Sequence, residues 1–143
     1  ISSFARAIEQ NPKDTRARFR LSDLFWEQGD YHESAQQLQS ILQYTPEDPV
    51  AWHNLGLVAI VLKDGPLAEN SLCRAIELDP AYLLAHYHLA CYYAENFQLE
   101  QALYCLDKAV ALDREQVREW VQEDEKLERL RSHPRFEQLL SED

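Results

Sequence analysis

The chain has 143 residues, a net charge of −11 and only three glycines. It is long enough to bury one core of ordinary size and too acidic to favour a phosphate backbone or an anionic lipid surface. Hydrophobic residues make up 45% of it, yet the longest apolar run, Leu55 to Leu62, is far short of the ~20 residues a membrane-crossing helix needs.

Alanine, leucine, glutamate and glutamine dominate, and these side chains lose little freedom in a helix, so an all-α fold is expected. The cysteines are Cys73, Cys91 and Cys105, an odd number with no CxxC pair. That pattern disfavours a disulfide framework or a zinc site and points to reduced thiols in a cytoplasmic setting. The chain starts at Ile1 and contains no methionine, which reads as an excerpt from a longer protein.

In chain order, residues 1–14 read as the second helix of an earlier, truncated pair and a turn at Pro12. Residues 15–48, 49–82 and 83–116 read as three helix pairs, and residues 117–143 as a capping helix followed by a short terminal helix, all in one domain. The register comes from columns of like residues 34 apart. Pro12, Pro46 and Pro80 form one column, and Phe4, Leu38, Leu72 and Leu106 a second. Ala7, Ile41, Ala75 and Ala109 form a third, Ala17, Ala51 and Ala85 a fourth, and Leu21, Leu55 and Leu89 a fifth. Several columns in one phase mark a repeat array, in which each helix pair buries its apolar face against its neighbours. Asp79-Pro80 and Thr45-Pro46 mark turns between pairs, because proline disfavours helical geometry in the residue before it. Gly65-Pro66 marks the turn inside the second pair.

The second pair reads PVAWHNLGLVAIVLKDGPLAENSLCRAIELDPAY. Its Trp52, Leu55, Gly56, Ala68, Leu72, Ala75 and Pro80 resemble the signature of the tetratricopeptide repeat family. The first pair keeps Leu21, Phe25, Leu38, Ile41 and Pro46 but has Arg18 at the tryptophan position and Ser22 and Ser34 at small positions. The third keeps Leu89, Ala90, Tyr93, Ala102, Leu106 and Ala109 and has Arg114 where the closing proline would be. Trp120 stands at a fourth tryptophan position. The tail LERLRSHPRFEQLLSED is similar to the LxxLRxxPRFxxLL ending of many members of this family, with Leu127, Leu130, Phe136, Leu139 and Leu140 placed to cover the last pair.

The resemblance implies a right-handed α-solenoid whose first helices line a concave groove that binds a peptide or protein segment. Carried over by repeat position, the groove residues are Arg16, Phe19, Arg20 and Asp23, then His53, Asn54 and Leu57, then Tyr87, His88 and Cys91. Phe19, Leu57 and Tyr87 are the expected anchors. The family's carboxylate-clamp pattern is absent, with Phe19 and Asp23 at its first places.

The residues themselves leave two roles open for Arg16 and Arg20, which lie four apart on one helix face. They could grip an acidic partner, or pair in solvent with Asp23 or Glu27. His86 and His88 point in different directions along a helix, and His88 with Cys91 supplies too few ligands for zinc. Cys91 lacks an oriented base and an oxyanion loop. The expectation is therefore a non-enzymatic scaffold with no cofactor and no metal, whose partner is a protein and not a nucleic acid or membrane. The alternative is a structural module packing on sister copies as a homo-oligomer or on an attached domain.

Overall fold

Aspartates start many of the helices. The side chains of Asp14, Asp48, Asp64 and Asp113 accept hydrogen bonds from main-chain N–H groups two or three residues ahead, satisfying donors that a helix leaves open at its first turn. The computed structural model describes residues 2–141. Among these, ten α-helices occur, in two compact units, residues 1–80 and 81–143. The two units divide between Pro80 and Ala81. Contacts in a chain of hairpins are local, so compact groups separate at a turn.

The first unit holds α1 (Ser2–Gln10), α2 (Thr15–Gln28), α3 (Tyr31–Tyr44), α4 (Pro49–Val61) and α5 (Gly65–Leu78). Its core gathers Ala35, Leu38, Ile41, Ala51, Leu55 and Val58, with Phe19 and Trp52 packed against them. Small residues set the spacing of each hairpin. Ser22 and Ser34 are buried where α2 meets α3, their hydroxyls 2.8 Å apart, and each donates to the other's main-chain carbonyl. Gly56 does the same for α4 and α5, because a Cβ there would stand 2.7 Å from Leu72 Cγ.

The second unit holds α6 (Leu83–Glu95), α7 (Leu99–Leu112), α8 (Arg114–Glu123), a 3-10 turn (Glu125–Leu127), α9 (Glu128–Arg131) and α10 (Pro134–Ser141). Asp113 alone separates α7 from α8, ending one helix and capping the next without a proline. Val117, Leu127, Leu130 and Phe136 are buried, so the tail covers the α6–α7 hairpin with apolar side chains. Arg131 fixes the tail by donating to the main-chain oxygens of Val121 and Asp124. Arg135 and His133 meet Glu100 on α7.

The hairpin turns repeat in detail. Gly29, Lys63 and Phe97, 34 apart, all have left-handed backbone with φ of 81°, 61° and 62°. The residue after each donates to a carbonyl five back: Asp30 to Phe25, Asp64 to Ala59 and Gln98 to Tyr93. The turn geometry therefore belongs to the repeat, even where glycine has been replaced.

Candidate functional site

In the first unit α2 and α4 lie side by side on α3. Asp23 and Trp26 from α2 and Asn54 and Leu57 from α4 line a cleft of about 220 Å³, floored by Ser22, Ser34, Leu38 and Val58. Partial burial, then the neighbouring Glu27, push the Asp23 carboxyl above its usual range against the pull of Arg20. Arg16 and Arg20 line a different depression, of about 300 Å³, with Phe4, Ala7, Asp14 and Ala17. Phe19 packs on the hydrophobic core. His53 is buried, and burial lowers its pKa against a hydrogen bond with Asn54, so it is neutral at physiological pH. Of the seven groove residues expected here, the structure brings Asp23, Asn54 and Leu57 together, sets Arg16 and Arg20 apart, and turns Phe19 and His53 toward packing.

In the second unit Tyr87 and Cys91, both on α6, are buried at 4% and 3% exposure. Tyr87 Oη donates to Asp124 Oδ2 at 2.8 Å, and Cys91 Sγ lies 3.5 Å from the same oxygen. Asp124 Oδ1 accepts from the Lys126 main-chain N–H. Burial would raise the Asp124 carboxyl, but the bonds from Tyr87, Lys126 N–H and Cys91 and the Lys126 charge outweigh it and hold the pKa below the usual value. Burial first, then the facing Asp124 charge, push the Cys91 thiol far up, and burial first, then Cys91 and Asp124, do so for the Tyr87 hydroxyl. A buried thiol kept protonated is a poor nucleophile. Beside this cluster Leu84, Tyr87, His88, Trp120, Glu123 and Asp124 line a cleft of about 360 Å³. The Tyr87 and Trp120 rings are 4.9 Å apart, and the His88 ring stands edge-on to Tyr87.

Sequence reasoning assigned no binding role to Trp26, Trp120, Glu123 or Asp124. A usable signal was present in helical spacing, since Trp26 lies three residues after Asp23 and Asp124 four after Trp120. No group of three or more His, Cys, Asp or Glu side chains is placed to hold a metal among the described residues. None of their helices is long and apolar enough to cross a membrane.

Two tetratricopeptide repeat family models match the chain, one over residues 1–60 and the other over residues 83–116. The chain is a tetratricopeptide repeat protein. Its architecture is the all-α solenoid of that family. One curated relative is the probable UDP-N-acetylglucosamine–peptide N-acetylglucosaminyltransferase SPINDLY of Hordeum vulgare, 30% identical over 121 residues that cover 80% of this chain and 13% of the relative. Another is the protein O-mannosyl-transferase TMTC3 of Homo sapiens, 29% identical over 109 residues, covering 74% of this chain and 12% of the relative. The tetratricopeptide chain thus spans a small fraction of either. Among solved structures, MamA matches with a TM-score of 0.73 at 16% identity, over 90% of this chain and 81% of that one. MamA from Desulfovibrio magneticus RS-1 matches at 0.74 with 21% identity, over 80% and 65%. The first tetratricopeptide domain of Spaghetti (RPAP3), bound to the HSP90 peptide SRMEEVD, matches at 0.67 with 19% identity, over 77% and 92%. At these identities the likeness is one of fold.

Proposed function

We propose that this chain is a protein-interaction module whose first helices receive a segment of another protein, and that it performs no chemistry itself. The observation that carries this reading is the α2–α4 cleft, where Trp26 and Leu57 offer apolar surface and Asp23 and Asn54 a polar rim. Aromatic anchors beside hydrogen-bonding groups are the usual composition of an interaction hot spot. A cleft formed by packed helices also spares the ordering cost that a flexible site would incur. The Spaghetti structure, a peptide complex on a related fold, supports the mode of binding, while the clamp positions filled here by Phe19 and Asp23 argue for a different ligand. Arg16 and Arg20, exposed on the adjoining depression, are suited to an acidic stretch of the partner.

The test is affinity capture from a lysate of the source organism, comparing wild type with Asn54→Ala/Leu57→Ala and with Arg16→Glu/Arg20→Glu, each first shown to melt as wild type does. A partner lost from the first variant supports the α2–α4 cleft, and one lost from the second assigns the arginines. A partner held equally by all three moves binding to another surface. If none is captured and sedimentation shows mass rising with concentration, the chain is instead a self-assembly module.

A further inference from the structure

The cleft of the second unit has a chemistry of its own. Tyr87 and Trp120 supply an aromatic floor, and Leu84, 40% exposed, an apolar shoulder. Glu123 and Asp124 form the rim at the C-terminal end of α8, whose last turn contains no basic residue. A helix C-terminus already carries partial negative charge, so adjacent carboxylates there are repelled by it and attract a cation. Arg131 answers part of that field through the Val121 and Asp124 carbonyls, and Lys126 acts on Asp124. Glu123 is exposed and forms no ion pair among the described residues. Tyr87 and the Lys126 N–H keep Asp124 ionised and fixed in direction.

We propose that this cleft is a socket for an arginine side chain carried by a segment of a partner protein. The proposal rests on the reading of the chain as an interaction module and names the chemistry of what it holds. A guanidinium is planar and weakly hydrated; it stacks on an indole face while its N–H fork reaches carboxylates, and its three-carbon stem packs on an aliphatic neighbour. Trp120, Glu123 with Asp124, and Leu84 supply those three partners in one cleft. Lysine has no plane to stack, and an acidic side chain meets two like charges. The same unit already uses this pairing internally, with the Arg129 guanidinium 3.8 Å above the Phe97 ring.

The experiment selects a displayed library of random twelve-residue peptides on the whole chain and then titrates the enriched peptides into the labelled protein by NMR. The enriched peptides are expected to share an arginine. Citrulline, which keeps the shape and loses the charge, should weaken binding about tenfold or more, the size of a charge-assisted hydrogen bond. The Trp120 indole N–H should shift with the arginine peptide, and Glu123→Lys, at an exposed position, should weaken binding to a similar degree. Citrulline peptides that bind as well as arginine peptides, or a Trp120 indole that does not move, overturn the socket while peptide binding itself stands. A library that yields no enriched peptide overturns both the socket and the interaction reading. Should Glu123→Lys fail to fold, the citrulline comparison decides alone.

Discussion

Tyr87 and Asp124 are joined by a 2.8 Å hydrogen bond that spans 37 residues of sequence and ties the middle of α6 to the end of α8. Asp124 uses its other oxygen to cap the 3-10 turn that begins the tail, so one carboxylate fixes both the aromatic floor and the start of the cap. Tyr87→Phe keeps the ring and removes the donor. It should destabilise the protein by about 1.5–3 kcal/mol, the range for a hydrogen bond to a charged group. Urea denaturation of wild type and variant measures it, and equal midpoints would remove the bond from any account of the cap.

The same pair shapes the response to acid. Asp124 has a folded pKa below its unfolded value of 3.8, so its contribution is complete above that value and is lost as pH falls through the folded one. Asp23 is shifted the other way, its ionised form disfavoured by burial and Glu27. Acidification from neutral pH therefore first relieves Asp23 and then, below about 4, costs the Asp124 interactions. Melting curves from pH 7 to 3 should show Asp23→Asn more stable than wild type at neutral pH. Tyr87→Phe should lose less stability than wild type between pH 4 and 3. Parallel curves for all three proteins would contradict both assignments.

Packing positions were far more legible in the sequence than binding positions. Columns such as Leu38 with Leu72 and Ala51 with Ala85 recur because every hairpin meets the same steric constraint, and all four side chains are buried. Even a departure obeys it. Arg18 stands in the tryptophan column, yet its Nε donates to the Pro12 carbonyl as Trp52 Nε1 donates to that of Pro46. Surface positions carry no such periodic constraint. Cys91 shares groove register with Asp23 and Leu57, yet it is buried with its thiol against Asp124, a neighbour that repeat position alone does not encode. The arginine pair was visible as an i, i+4 spacing, whereas its separation from Asn54 depends on which helices wall each depression.

Gly56 tests the steric constraint directly. Alanine is the better helix former, so propensity alone predicts a gain of about 1 kcal/mol for Gly56→Ala. The added Cβ would stand 2.7 Å from Leu72 Cγ and 3.4 Å from Leu72 N, and Leu72 is fully buried. Overpacking of this kind costs about 1–3 kcal/mol, so a net loss of stability is expected. Pairing the change with Leu72→Ala should cost much less than the sum of the two single losses, because the new methyl occupies the cavity that the leucine leaves. Thermal melts of the two single variants and the double variant complete the cycle, and strictly additive values would show that the helices part freely.

The left-handed turn residues separate backbone strain from packing. A Cβ at Gly29 meets nothing within 4 Å, yet its φ is 81°. Gly29→Ala therefore carries a backbone penalty alone, about 1 kcal/mol. Lys63 holds the same turn at φ 61° with an exposed side chain, so Lys63→Gly should release strain of that order, less the entropy glycine adds to the unfolded chain. Phe97 holds the third turn at φ 62°, but Phe97→Gly also removes the ring under Arg129 and should not stabilise. The expected order of melting temperature is Lys63→Gly at or above wild type, with Gly29→Ala and Phe97→Gly below. A Gly29→Ala protein as stable as wild type would show that the turn relaxes out of the left-handed region without disturbing the hairpin.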